Sequence, residues 1–221
     1  MIMMGFISLS ALFGVLLSGF WYITKMGIDV VLNKLNLKCL IQFSVFLAAL
    51  FPTIWIVRNS NLFLFNYTSL FDFKIWLFMI LIVCIVSTIA SIKRPFKKLS
   101  SKQLFLSMLD AILMEVPQRM MMQSFIYMLA RLRNMDGILS APITAVIWCI
   151  SICIQNIITK RKFGQDVLCE LLASFIFSLG IGVILIRTNF IGFTMIAHCL
   201  ERLASELIQS RKGSLPQKIS T

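Results

Sequence analysis

Long apolar runs, separated by short charged or turn-forming stretches, make up most of this chain. The residues at their borders delimit seven runs, which cover 2–23, 39–57, 73–92, 104–129, 143–158, 167–186 and 190–208. A helix crosses the hydrocarbon core of a bilayer with about 20 apolar residues, so most of these runs are long enough to span it. The pattern therefore predicts an all-α, polytopic transmembrane helical bundle of about seven spans.

The composition excludes most other classes of protein. Of the 221 residues, 59% are hydrophobic and only 14% are charged. An ordinary soluble domain has about 45–50% apolar residues. A water-soluble fold of this length has no means of burying so much additional apolar surface. A soluble enzyme, a disordered chain and a disulfide-stapled secreted module are therefore excluded.

The formal net charge of +12 comes from basic residues whose distribution among the loops predicts an orientation in the membrane. Basic residues lie in short clusters between the apolar runs, as in membrane proteins, so no nucleic-acid partner is predicted. One set of alternate loops, with the tail, holds Lys25, Lys34, Lys38, Lys93, Arg94, Lys97, Lys98, Lys102, Lys160, Arg161, Lys162, Arg211, Lys212 and Lys218. The opposite set holds only Arg58, Lys74, Arg131, Arg133 and Arg187. We expect an integral plasma (cytoplasmic) membrane protein with a cytoplasmic C-terminus, an outer N-terminus and membrane lipid as a partner.

The basic stretch 93–102 is the one plausible hinge of the chain. It separates a predicted N-terminal three-helix membrane region, 1–102, from a helical core, 103–208, and a cytoplasmic basic tail, 209–221. The first run has no basic residues before it and continues past Trp21 and Tyr22, which favours a retained helix over a cleaved signal peptide. Segment 61–71 is either interfacial or re-entrant, and the sequence leaves both possibilities open.

The cysteines and the single histidine predict no metal site and no cofactor. All six cysteines lie within or beside apolar runs, and none forms a C-x-x-C pair. One histidine, His198, is too few for a multi-histidine zinc site, and the chain has no H-E-x-x-H sequence. A zinc protease is therefore excluded. The chain also has no G-x-S-x-G sequence, so serine catalysis is not supported.

Ionisable residues within the fourth run form the first candidate site, because such groups are costly in a membrane. Glu115 and Arg119 are four residues apart, so they share a helix face and are predicted to form an ion pair. Pro117 between them removes a backbone N–H, which predicts a kink and a freed carbonyl. Asp110 is about 140° around the helix from Glu115 and is predicted to face elsewhere.

The seventh run holds the second candidate site. His198 is followed by Glu201 at the third position and Arg202 at the fourth, so both flank its helix face. Glu206 lies four residues after Arg202 and is placed to pair with it.

These two runs together resemble the CAAX protease and bacteriocin-processing (CPBP, or Abi) family of intramembrane proteases. Residues 114–119 are similar to the family's E-E-x-x-x-R motif, and 196–202 to its last motif, H-x-x-x-N/D. Residues 177–190 resemble the glycine-bearing helix and turn that lead into that motif. The resemblance covers about residues 104–207, and it implies a helical membrane cavity in which a glutamate activates water with support from histidine and asparagine. It assigns Glu115 to the second glutamate, Arg119 to the arginine and His198 to the last-motif histidine.

The chain departs from this family pattern at the positions that carry the chemistry. Met114 occupies the position of the first glutamate, the presumed general base. Trp148 replaces the phenylalanine of the middle motif, F-x-x-x-H, and Ile152 replaces its histidine. Arg202 occupies the position of asparagine or aspartate. A thioether cannot accept a proton from water, and general-base catalysis alone contributes about 10²–10⁴-fold to a rate.

The preferred interpretation is a CPBP-like protein with decayed catalytic motifs that binds a hydrophobic peptide or a membrane-protein partner. Family analogy implies a role in bacteriocin self-immunity or an accessory role. The alternatives are an active CAAX-type intramembrane endopeptidase, a small transporter subunit, and a purely structural clamp in which these polar residues fix the fourth helix against the seventh. Gly180 and Gly182 in the sixth run are predicted to allow close helix approach.

Overall fold

The helices of the protein follow the predicted apolar runs. A computed structural model describes residues 2–60, 62, 65–92 and 100–212. The α-helices are α1 (Ile2–Lys34), α2 (Ser44–Ser60), α3 (Phe73–Ser91), α4 (Ser101–Glu115), α5 (Ser124–Leu132), α6 (Ser140–Ile158), α7 (Gln165–Thr188) and α8 (Ile191–Lys212). Short 3-10 turns cover Lys38–Phe43, Tyr67–Phe71 and Gly137–Leu139, and a π-helical segment, Val116–Gln123, joins α4 to α5. The predicted all-α bundle is confirmed.

Because α4, the π segment and α5 form one continuous helical rod, the described residues form seven such rods. Within the described residues, five helical stretches are long and apolar enough to cross a membrane: 3–34, 40–60, 73–91, 137–158 and 165–188. The α4–α5 rod and α8, which carry the ionisable residues of the candidate site, are the other two rods.

The first helix is longer than its apolar run. The run ends at residue 23, whereas α1 continues to Lys34. A 2.7 Å salt bridge between Lys25 Nζ and Asp29 Oδ2, one helical turn apart, supports this polar extension. Asn36 ends it in the left-handed conformation, with φ 57°, which asparagine tolerates better than most residues.

Pro117 lies near the start of the π-helical segment between α4 and α5. Proline cannot donate the usual α-helical hydrogen bond, and the backbone continues as a π helix over Val116–Gln123. The carbonyl that Pro117 leaves free is that of Leu113, four residues earlier, and it accepts a hydrogen bond from the Val116 backbone N–H. Further along the π segment, the Arg119 carbonyl oxygen accepts hydrogen bonds from the Ser124 backbone N–H and, at 3.2 Å, from the Ser124 hydroxyl. The backbone polar groups that proline disturbs are therefore satisfied within the same rod.

The core clusters draw on both the 1–102 and the 103–208 regions. One cluster joins Met79 and Val86 of α3 to Phe177 of α7 and Phe193 of α8. Another combines residues of α1, α2, the π segment and α6, among them Trp21, Val45, Met121 and Trp148. The N-terminal helices thus pack directly on the elements that carry the candidate site. The hinge residues 93–99 and the tail from residue 213 lie outside the described residues.

The described part of segment 61–71 lies at one end of the bundle, beside the α7–α8 turn. Leu62 is buried with Leu185 and Ile191. Phe65 forms an isolated antiparallel bridge with Phe190. The following 3-10 turn, Tyr67–Phe71, leads directly into α3.

Candidate binding cavity

A buried polar cluster joins the α4–α5 rod to α8. Glu115 and Arg119 are both fully buried, and Arg119 Nε lies 3.3 Å from Glu115 Oε2. The predicted ion pair between these residues is therefore present. His198 Nδ1 lies 2.7 Å from the other carboxylate oxygen, Glu115 Oε1. The Glu115 carboxylate thus contacts both Arg119, on its own rod, and His198, which lies 83 positions further along the chain.

Arg119 extends the same cluster to α7. Its Nη1 donates to the Ser178 carbonyl oxygen at 3.1 Å, to the Ser178 hydroxyl at 3.3 Å and to Gln123 Oε1 at 3.0 Å. Gln123 Nε2 in turn donates to the Gly182 carbonyl oxygen at 2.8 Å. The cluster therefore connects three rods. Of the residues in the clamp alternative, Glu115, Arg119 and His198 belong to the cluster, whereas Glu201 and Arg202 contact each other on α8.

Gly182 provides the space that this cluster needs. A Cβ atom at this position would lie 3.2 Å from both Arg119 Nη1 and Gln123 Nε2, and 3.1 Å from the Cβ of Ala141. A Cβ at Gly180 would lie 2.5 Å from Ile82 Cδ1. Both glycines thus permit close helix approach, as predicted. Gln123 was not predicted as a member of the cluster, although its position four residues after Arg119 was a signal for it.

A cavity of about 190 Å³, here called the His198 cavity, borders this cluster at Ser178 and His198. Residues of α3, α4, the π segment, α6, α7 and α8 line it. Its polar lining includes Gln118, Trp148, Glu170, His198, Glu201 and Arg202. Glu115 does not line the cavity, and its carboxylate contacts Nδ1 of His198, which does.

The positions at which the sequence departs from the family pattern also line the His198 cavity. They are Met114, Trp148, Ile152 and Arg202. Trp148 is 5% exposed and makes an edge-to-face contact with Trp21, with ring centroids 6.1 Å apart. Among the described residues, no group accepts a hydrogen bond from its Nε1. Apart from Arg202, the side chains at these positions are largely apolar.

The acidic side chains that line the cavity form hydrogen bonds or ion pairs with neighbouring residues. Glu201 Oε1 accepts a 2.7 Å hydrogen bond from the Ser205 hydroxyl, and its Oε2 lies 3.8 Å from Arg202 Nε. Arg202 thus contacts Glu201, whereas the sequence predicted Glu206 as its partner. The reason is that the Arg202 side chain turns towards the cavity, which Glu201 also lines. Glu170 forms a 2.8 Å salt bridge with Arg161 at the α6–α7 loop. Hydrogen bonds to Asp166 and Glu170 raise the pKa of the Arg161 guanidinium above its ordinary value.

Asp110 faces a different cavity, as its helical angle predicted. This second space, the Asp110 cavity, has a volume of about 550 Å³ and lies between α1, α2, α4 and α6. Its lining includes Trp21, Tyr22, Lys25 and Val45. Met114 and Gln155 line both cavities, so they form the boundary between them.

No family model, curated protein or solved structure matches the chain. The likeness to the CPBP family therefore rests on the motif residues of the sequence alone. Within the described ranges, no group of three or more histidine, cysteine or acidic side chains is arranged to hold a metal ion. The cavity's own side chains are accordingly the basis for a functional proposal.

Proposed function

We propose that this membrane protein is a CPBP-like protein with decayed catalytic motifs, and that it binds a hydrophobic peptide or a membrane-protein partner in the His198 cavity. The observation that carries the proposal is the lining of the cavity. It combines apolar side chains, including Met114 and Ile152, with polar groups on the π segment, α6, α7 and α8. Ligand sites in proteins have this composition, since apolar walls supply affinity and a few polar groups fix orientation.

The connections of Glu115 argue against catalysis through the family's usual residues. Its two carboxylate oxygens contact Arg119 and His198, and its side chain is fully buried. A general base must come within hydrogen-bond reach of the proton that it removes. Glu115 has no face on the cavity, and Met114, which does, has no basic atom.

The second candidate function, an active intramembrane endopeptidase, is favoured by one observation. Glu201 lines the same cavity as His198 and supplies a carboxylate there. In that case Glu201 would act as the general base. It would first have to lose the hydrogen bond from Ser205 and the contact with Arg202. This cost makes the binding function the better supported of the two.

Family analogy gives the proposed binding function a biological setting. Bacteriocin self-immunity requires a membrane protein that recognises a hydrophobic peptide, and an accessory role requires recognition of a membrane partner. A bacteriocin precursor gene and an exporter gene beside this gene would favour immunity. Cells that lack the gene would then regain protection against the bacteriocin when the gene is supplied on a plasmid.

A direct test uses the full chain in lipid nanodiscs with hydrophobic peptides that carry a fluorophore and a quencher. We expect binding without cleavage. Ile152→Trp should weaken binding at least ~10-fold by filling the cavity. The matched control, Ile154→Trp, adds the same ring on the outward face of α6, where Ile154 is 41% exposed, and should bind as the wild type does.

The outcomes separate the two candidate functions. Equal peptide affinity in both tryptophan variants would remove the His198 cavity as the binding site. Cleavage by the wild type that Glu201→Gln abolishes would establish the endopeptidase instead. Thermal unfolding of each variant in detergent checks that the substitutions leave the fold intact.

A further inference from the structure

Asp110 is an ionisable residue that the proposed function does not use. It lies within the fourth apolar run, where a charge is costly unless the side chain faces water or a partner of opposite charge. Asp110 is exposed and lines the Asp110 cavity, and no other described residue forms a hydrogen bond or an ion pair with its side chain. The carboxylate is therefore available to a ligand.

Other polar side chains of the Asp110 cavity also have unused hydrogen-bonding capacity. Within the described part of the chain, no hydrogen bond is made by the side chains of Tyr22, Gln42, Ser107 and Gln155. Each of these side chains carries an oxygen that can accept a hydrogen bond. Together with Asp110, they surround one space with acceptors from α1, the first 3-10 turn, α4 and α6. Such a lining suits a ligand that donates several hydrogen bonds, and the Asp110 carboxylate favours a positively charged one.

Lys25 adds a positive charge to the lining of the same cavity. Its Nζ donates to Asp29 Oδ2 at 2.7 Å, and since an ammonium group has three donors, others remain for a ligand. Lys25 and Asp110 both line the cavity, yet the ion pair described for Lys25 is with Asp29 and not with Asp110. Opposite charges on the two sides of an open space suit a ligand that itself carries both charges.

The position of the Asp110 cavity indicates a lipid. Lys25 follows the end of the first apolar run, and Trp21 and Tyr22 just before it are aromatic residues typical of the membrane interface. Apolar side chains also line the cavity, namely those of Ile41, Val45 and Leu106. The volume of about 550 Å³ is within the range of about 300–1,000 Å³ that is usual for ligand pockets. A lipid headgroup at this depth would reach the polar side chains while its acyl chains stay in the bilayer.

We propose that the Asp110 cavity binds the headgroup of a phospholipid that carries a primary ammonium group. The Asp110 carboxylate and the neighbouring acceptor oxygens hold the ammonium, whose N–H groups a quaternary choline group lacks. Lys25 Nζ holds the phosphate. Because this site differs from the His198 cavity, it is independent of the function proposed for that cavity.

The experiment titrates the full chain in detergent micelles with short-chain phospholipids that have identical acyl chains. Their headgroups are phosphoethanolamine, phosphocholine and phosphomethanol, so the phosphate is constant and the cationic part varies. The ethanolamine lipid should bind at least ~10-fold more tightly than either of the others. Equal affinity for all three lipids overturns the proposal. This comparison uses the wild-type chain, so it is decisive even if a variant fails to fold.

Free phosphoethanolamine, which has no acyl chains, tests whether the ligand is a lipid. It should bind at least ~10-fold more weakly than the ethanolamine lipid, because it makes no contact with the apolar lining. Equal affinity of the two would assign the site to a soluble headgroup compound and overturn the lipid as its ligand.

Asp110→Asn tests the group that holds the ammonium. This variant should lose the preference for the ethanolamine lipid over the phosphomethanol lipid. The matched control, Asp136→Asn, changes an exposed acid at the opposite end of the bundle, where asparagine can still cap the Ile138 backbone N–H, and should keep the preference. A preference that persists in Asp110→Asn overturns the role of Asp110.

Lys25→Gln tests the group that holds the phosphate. It should weaken the binding of all three lipids about 10-fold, since all three carry the phosphate. The matched control, Asp29→Asn, removes the same salt bridge but keeps the lysine, and should bind the lipids at least as tightly as the wild type does. Equal losses in both variants would assign the effect to the salt bridge and overturn the role of Lys25. Thermal unfolding of each variant checks that its fold is intact.

Discussion

Glu115 is the residue on which the buried polar cluster depends. It is the one acid that contacts both Arg119 and His198, and all three side chains lie within the bundle. Taking a charge out of water costs several kcal/mol unless a partner compensates for it. Arg119 is fully buried, so the stabilisation of its charge depends on the Glu115 carboxylate and on the acceptor oxygens of Gln123 and Ser178.

Replacement of Glu115 should therefore be costly. We expect Glu115→Ala to lower the free energy of unfolding by about 3–5 kcal/mol, because it leaves the Arg119 charge buried without its counter-ion. Unfolding in a mixed-micelle denaturant titration measures this change. As a control, Glu170→Ala breaks a partly exposed pair, with 44% and 29% side-chain exposure, and should cost less than about 1 kcal/mol.

The double variant Glu115→Met, Arg119→Met distinguishes a charge effect from a packing effect. Replacement of a buried ion pair by apolar side chains of similar volume is often neutral or stabilising. The double variant should thus be more stable than Glu115→Ala. If it is equally unstable, the stabilising role assigned to the ion pair is wrong.

Among the elements, α7 owes its position to two glycines that meet different neighbours. Gly180 faces the Ile82 side chain on α3, and an added Cβ would lie 2.5 Å from its Cδ1 and 3.0 Å from its Cγ1. Gly182 faces the Cβ of Ala141 and the hydrogen-bonded ends of Arg119 and Gln123. The first neighbour can rotate away, whereas those at Gly182 cannot move without breaking bonds or shifting a backbone.

This difference predicts unequal effects of the same substitution. Gly182→Ala should destabilise the protein by about 1–3 kcal/mol, the usual cost of overpacking. Gly180→Ala should cost less, although its nearest contact is shorter, because Ile82 can adopt another rotamer. The same unfolding titration compares the two variants. A larger effect at Gly180 would contradict the account of α7 packing.

For the whole molecule, the distribution of basic residues predicts which ends of the helices face the cytoplasm. Phe163 in the α6–α7 loop and Leu132 at the end of α5 are both apolar and exposed, at 55% and 71%, and they lie at opposite ends of the bundle. In a variant without native cysteines, Leu132→Cys should react with a membrane-impermeant thiol reagent in intact cells. Phe163→Cys should react only after the membrane is permeabilised, and the reverse result would overturn the orientation.

The predicted orientation also predicts the side from which the proposed ligand enters. The His198 cavity takes its lining mainly from the halves of α6 and α7 that lie nearer to the Arg161 loop, and from the middle of α8. In the predicted orientation, that is the cytoplasmic half of the membrane. A ligand supplied to the cytoplasmic side should therefore reach the cavity faster than one supplied outside.

The sequence by itself determined the features that depend on local pattern. Apolar runs and their charged borders predicted the helices and the bundle, and the four-residue spacing predicted the ion pair of Glu115 with Arg119. Periodicity acts along one helix, so these features need no knowledge of neighbouring helices. The prediction failed locally where packing or capping took over, as in the extension of α1 to Lys34.

Only the tertiary structure decided which helices share the site. It joined His198 to Glu115, directed Gln123 to the backbone of Gly182 and placed Met114 and Ile152 on one cavity wall. No spacing in the sequence encodes these contacts, since they depend on the rotation and approach of separate helices. Steric fit at positions such as Gly182 sets that approach, and the cavity is the space that the packed side chains leave unfilled.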